Sequence, residues 1–274
     1  MVLGDLQSEQ GHSMKHSRRH RQPALLAFLA ASACLLLGGC AQTVFGTRKP
    51  LDVTGPISVD VVTFAGEVTI QATGDAPGEP YVYVRPRATH SIHRMGDAQA
   101  SLDDIDWSIE TLEEGGRTVL RIRATTLYPE SGLQRLHVTV SAPHIDGVNV
   151  STTLGDVDLS EVEGPISVET TRGDVSIVTG RPLAEAVSVT TTDGDITFRA
   201  PPGTSGRLDA FTADGRVVCS VRDEKFRVHG FSNDQSMQGV INDGQSPLVF
   251  RTNDGTIRIV VKKHPHQQAS FLFD

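Results

Sequence analysis

The stretch ISVETTRGDVSI, Ile166 to Ile177, decides the fold. Ile166 and Val168 alternate with polar residues before its centre, and Val175 and Ile177 do so after it. A period of two is the mark of strands that bury one face. The period breaks only between Thr170 and Gly173, where the chain has to kink, and glycine accepts positive φ without a Cβ clash.

The same grammar recurs around Gly66, Gly155, Gly194, Gly215 and Gly255. Apolar residues stand seven and five places before each glycine, from Val59/Val61 through Val148/Val150 and Val187/Val189 to Leu208/Ala210 and Leu248/Phe250. A threonine stands three before it: Thr63, Thr152, Thr170, Thr191, Thr212 and Thr252. Two and four places after it come Val68/Ile70, Val157/Leu159, Ile196/Phe198, Val217/Cys219 and Ile257/Ile259. In the second half the glycine-to-glycine steps are 18, 21, 21 and 40, the spacing of stacked rungs, with a degenerate unit at 226–243 filling the long step. The sequence predicts an all-β fold, a β-solenoid resembling a single-stranded β-helix, because equal units with the same inward positions need a repeating environment. A β-sandwich of hairpins turning at Asp-Gly is the alternative.

Between Gly74 and Pro143 the rhythm loosens. YVYVRPRA and LHVTVSAP read as alternating strands, TLEEGGRTVLRIRA as a hairpin across Glu114–Gly116, and GDAQASLDD as a short helix. An irregular β section (51–147) thus precedes the repeat solenoid (148–261), and a tail (262–274) ending FLFD caps the last open edge.

The start obeys different chemistry. MKHSRRHR (Met14–Arg21) is basic, and Ala24 to Gly39 is apolar apart from Ser32, too short to span a bilayer. This is the pattern of a secretory signal peptide over 1–39, with 1–13 read as an overcalled start before Met14. LGGC, Leu37–Cys40, resembles a bacterial lipobox, which implies an acylated, palmitate-bearing Cys40 at the head of the mature chain and a tether over 40–50. Ala41 after the cysteine leans towards the outer membrane, facing periplasm or surface. With Cys34 in the signal and Cys40 lipidated, Cys219 is the last thiol, so no intrachain disulfide is available; its inward position reads as core. Removing 1–39 takes away four basic and two acidic residues, moving the formal charge from −8 to −10. An acidic body without a basic stripe argues against nucleic acid and gives no attraction to an anionic bilayer, so attachment rests on the lipid.

The run from HVTVSAP into STTLGDVDL, ETTRGDVSI and TTDGDITF is similar to a bacterial family of β-helical domains labelled “putative adhesin”, over about Leu51 to Val261. The resemblance implies an envelope protein and carries over no catalytic residue.

The repeat also carries candidate chemistry. Asp156, Asp174, Asp193, Asp195, Asp214 and Asp254 flank the glycines; Asp156, Asp174 and Asp195 are the calcium candidates, against which stands turn chemistry, since aspartate bonds nearby amides. No thiolate metal site, nucleophile elbow, zinc-binding His pair or phosphate loop is present, His264-Pro-His266 lacks a third ligand, and Asp103–Trp107 reads as a polar loop. The expectation is a non-enzymatic, cofactor-free envelope lipoprotein that binds or scaffolds an envelope protein or glycan. A glycan-active enzyme and an envelope-stress sensor are the alternatives.

Overall fold

The computed structural model describes residues 40–43, 46–53, 55–90, 95–127, 133–222, 224–230 and 232–267. The signal segment and FLFD lie outside them. Two short strands come first, β1 (Cys40–Thr43) and β2 (Thr47–Pro50), then β3 (Ile57–Val62) and β4 (Val68–Ala72) on either side of Gly66. β5 (Tyr81–His90) leads to α1 (Met95–Asp103) and the hairpin β6 (Ile105–Glu114) and β7 (Arg117–Thr126). There follow β8 (Gln134–Ala142), β9 (Ile145–Leu154), β10 (Val157–Ser160), β11 (Glu163–Arg172), β12 (Val175–Val178), β13 (Val187–Thr190) and β14 (Ile196–Ala200). The last four are β15 (Gly206–Val221), β16 (Phe226–Val228), β17 (Ser236–Ile241) and β18 (Pro247–Val261). No helix among the described residues is long and apolar enough to cross a membrane.

Strands on either side of a corner do not pair with each other, as hairpins would. Each pairs in parallel with its equivalent in the next unit, which makes the fold a solenoid of two-strand rungs. One ladder runs β6-β7-β3-β9-β11-β13-β18-β15-β17-β16. The other runs β5-β8-β4-β10-β12-β14-β18-β15, so the long strands β15 and β18 belong to both.

Register locks the inward columns. Val68, Val157, Val175, Ile196, Ile257 and Val217 are neighbours in that order, and all are buried in one cluster with their counterparts Val59, Val148, Ile166, Val187, Leu248 and Leu208. Each such side chain contributes about 1.5–3 kcal/mol when fully buried. Phe198 and Phe250 meet across the core with centroids 5.1 Å apart.

Spatial order differs from chain order at both ends. The rung of residues 57–72 lies between those of 117–142 and 145–160, and the last rung, 247–261, lies between those of 187–200 and 206–221. Residues 226–243 do not form a coil as the spacing predicts. Lacking the threonine-to-glycine corner, they fold back as an antiparallel β16–β17 pair along the first half of β15. Residues 40–50, which read as a tether, place two strands antiparallel along β5. GDAQASLD is helical in α1, and the β6–β7 hairpin turns at Gly115 and Gly116, both with positive φ.

Candidate functional site

The corner glycines form a seam along the stack. Gly155, Gly173 and Gly194 have φ of +150°, +154° and +156°. A Cβ on Gly173 would lie 2.1 Å from the Gly155 carbonyl oxygen, and one on Gly194 would lie 2.1 Å from that of Gly173. Gly66, Gly215 and Gly255 repeat the relation, so the backbones of successive rungs touch at each corner. Thr191, Thr212 and Thr252 reinforce the seam by donating their hydroxyls to the carbonyls of Gly173, Gly255 and Gly194 at 3.2, 3.0 and 3.1 Å.

The aspartates that follow the glycines hold the seam from outside. Asp156 Oδ1 accepts the Asp174 N–H at 2.9 Å, Asp174 Oδ1 accepts that of Asp195 at 2.8 Å, and Asp195 Oδ1 accepts that of Thr256 at 2.7 Å. The calcium candidates therefore clamp amides of the neighbouring rung, where turn chemistry would have them bond amides of their own turn. One oxygen of each carboxylate is committed to the neighbouring backbone, and rungs sit about 4.8 Å apart, whereas calcium gathers six or more oxygens at about 2.3–2.6 Å. Among the described residues no three His, Cys, Asp or Glu side chains converge as a metal site. The preceding aspartates, Asp193, Asp254 and Asp214, stack in a second row, ended by Arg172, 3.5 Å from Asp193.

One end of the seam opens into a groove of about 330 Å³ walled by Glu67, Arg135, His137, Asp156 and Arg172. Burial, followed by the Arg85 charge, pushes the His137 imidazole below its ordinary value. Among the described residues neither ring nitrogen has a hydrogen-bond partner, and Glu67 Oε2 lies 3.7 Å from Nδ1. Asp158 is raised by burial and then by Glu67 and Asp156. Sequence reasoning missed this cluster, together with Arg85 and Arg87 beside it. The legible signal was charge at alternate positions of two strands, Arg-Pro-Arg at 85–87 and Arg-Leu-His at 135–137, which pair in space but stand far apart in the chain.

The remaining candidates stay apart. Cys219 is half-buried and packs against the core, and burial pushes its thiol up to about 11, which disfavours the thiolate. His266 Nε2 meets the Glu161 carboxylate, while His264 is exposed. Asp103 closes α1 and accepts a hydrogen bond from Gln99, whereas Asp106 and Trp107 belong to β6. Cys40 opens β1, its backbone opposite His90.

Residues 129–260 match the family model described as Toastrack DUF4097. No curated protein matches the chain. Among solved structures, a “putative cell adhesion protein” from Clostridium sporogenes ATCC 15579 superposes with a TM-score of 0.50 at 10% identity, over 80% of this chain and 99% of its own. A “putative adhesin” from Bacteroides fragilis NCTC 9343 aligns over 80% of this chain and 97% of its own at 10% identity, with a TM-score of 0.27. The first of these likenesses bears on the fold alone.

Proposed function

Taking the Toastrack DUF4097 domain of residues 129–260 as the premise, we propose that this chain is a non-enzymatic, lipid-tethered binding or scaffolding module of the bacterial cell envelope. The observation that carries the reading is the register of the outward side chains. Ser167 stands beside Asn149 and Ser188, and Glu169 beside Ser151 and Thr190, so the β9-β11-β13 ladder presents rows of polar groups on hydrogen-bonded parallel strands. A rigid polar surface of this kind suits recognition of an extended protein or glycan by many small contacts. The seam carboxylates favour the same reading over glycan cleavage, because Asp156, Asp174 and Asp195 hold backbone amides instead of standing free for proton transfer.

LGGC supports acylation of Cys40, which would place the module at a membrane, and Ala41 favours the outer one. Replacing Cys40 by Ser releases the protein into the soluble fraction if this is right, and retention at the membrane defeats the anchor. A pull-down with the mature chain, comparing peptidoglycan, outer-membrane and protein fractions, tests the binding role. New reducing ends released from any retained glycan would favour the enzyme instead.

A further inference from the structure

We infer that the outward face of β5 and β8 binds the phosphate groups of anionic lipid headgroups and seats the body on the membrane that holds its tether; the inference rests on the reading of Cys40 as that anchor. Arg85 and Arg87 project from β5, and Arg135 and His137 from β8, since the residues alternating with them, Val84, Ala88, Leu136 and Val138, are buried. In register Arg85 stands directly opposite His137, and Arg87 directly opposite Arg135. Like charges in directly opposed positions oppose strand pairing, and Arg87 with Arg135 is such a pair, with Arg85 two residues away on the same face.

Three further observations point to an anion. Arg121, Arg123, Arg181 and Arg251 each meet a carboxylate, whereas among the described residues Arg85, Arg87 and Arg135 have none within 4 Å. Among the described residues, the Nε atoms of Arg85 and Arg87 and both His137 ring nitrogens are buried without a hydrogen-bond partner, which folded proteins rarely leave so. Guanidinium groups bind phosphate oxygens in a bidentate fork, and a cluster of them answers a headgroup phosphate. Further along the same face Arg48 stacks over the Tyr81 ring at 4.0 Å, an aromatic and cationic pair of the kind that suits a membrane interface.

Place in the fold supplies the occupant. β1 runs along the free side of β5 with Thr43 opposite Arg87 and Cys40 opposite His90. The acylated residue thus begins three positions beyond the arginine's neighbour, about 10 Å along the strand. A lipid on Cys40 brings these arginines to within about one Debye length of the headgroups, where local charge outweighs the acidic remainder of the body. The charge of −10 for the processed chain conceals this asymmetry.

The test uses the chain from residue 40 onward, which lies within one compact unit, carrying Cys40→Ser so that no acyl chain contributes. It is floated with vesicles of equal phosphatidylglycerol and phosphatidylcholine, and with pure phosphatidylcholine. Binding to the anionic vesicles alone is expected, weakening with salt. Arg85→Gln/Arg87→Gln/Arg135→Gln should reduce it on the order of 100-fold. Arg207→Gln/Arg216→Gln/Arg222→Gln, the same change in charge at the other end of the stack, should leave it intact. Equal binding to both vesicles, no binding to either, or equal loss in both triple variants overturns the proposal. Inorganic phosphate held by the arginines of a chain that ignores vesicles also overturns it, in favour of a soluble phosphate. Failure of the anchor reads out separately: wild-type cells would then show no labelled palmitate on Cys40, whatever the vesicles report.

Discussion

Asp156 and Asp174 are joined across neighbouring rungs, the carboxylate of the first accepting the backbone N–H of the second at 2.9 Å. The same link passes from Asp174 to Asp195 and from Asp195 to Thr256. The row is therefore a chain of one-per-rung clamps. Asp174→Ala should cost about 1 kcal/mol, because it removes an acceptor and leaves the Asp195 amide to water. Asp174→Asn keeps an acceptor oxygen in place and should recover most of the loss. Urea midpoints of the three proteins decide this, and an Asn variant as weak as the Ala variant would assign the role to charge.

Beneath the clamps the corners have no room for a side chain. Gly173→Ala must place a Cβ against the Gly155 carbonyl at 2.1 Å while holding φ at +154°, and either demand alone is costly. A loss of about 3 kcal/mol or more is expected in chemical denaturation. Gly78, with nothing within 4 Å of its added Cβ, is the control, and Gly78→Ala should be nearly neutral. Comparable losses at both positions would show that lack of room at the corner is not the cause, because restricting the unfolded chain alone would make Gly→Ala stabilising.

These corners were legible in the sequence because a glycine that breaks a period of two marks the point where a strand must turn. Thr170 and Gly173 mark the kink, and Val175 and Ile177 mark the buried face of the next strand. The order of the rungs was not legible. Val59 pairs with Leu120 on one side and Val148 on the other, and Leu248 lies between Val187 and Leu208. Every rung offers its neighbours the same aliphatic positions, so nothing local says which rung comes next. The basic face was hidden for a related reason: Arg85 and His137 belong to loosely patterned strands that only the antiparallel β5–β8 pairing brings together.

Asp60 gives the ladder formed by β3, β7 and β9 its pH dependence. Burial acts to raise its pKa, but hydrogen bonds from Arg123, Asn149 and Arg121, with the Arg123 charge, outweigh burial and hold it below the ordinary value. A depressed carboxylate stabilises the fold above its unfolded pKa, near 4, and that contribution is lost as pH falls through the lower folded value. Asp60→Asn should therefore destabilise the protein at pH 7 by about 1–3 kcal/mol and have a much smaller effect near pH 2. Parallel stability curves for parent and variant across that range would place the ion cluster outside the folding balance.

The interleaved end makes an unusual demand on the C-terminal strand. In an ordinary solenoid the last strand is an outer rung, and removing it shortens the stack. Here β18 lies between β13 and β14 on one side and β15 on the other, supplying Leu248, Phe250, Ile257 and Ile259 to the columns. A chain ending at Ser246 would leave β15 separated from the body, with both its neighbours' inward faces exposed. Loss of the cooperative unfolding transition is expected, not a modest drop in midpoint, because the missing strand couples the two parts. A truncated chain that still unfolds in one sharp step near the parent's midpoint would show that β15 can close directly onto β13 and β14, and that the interleaving is not needed for the fold.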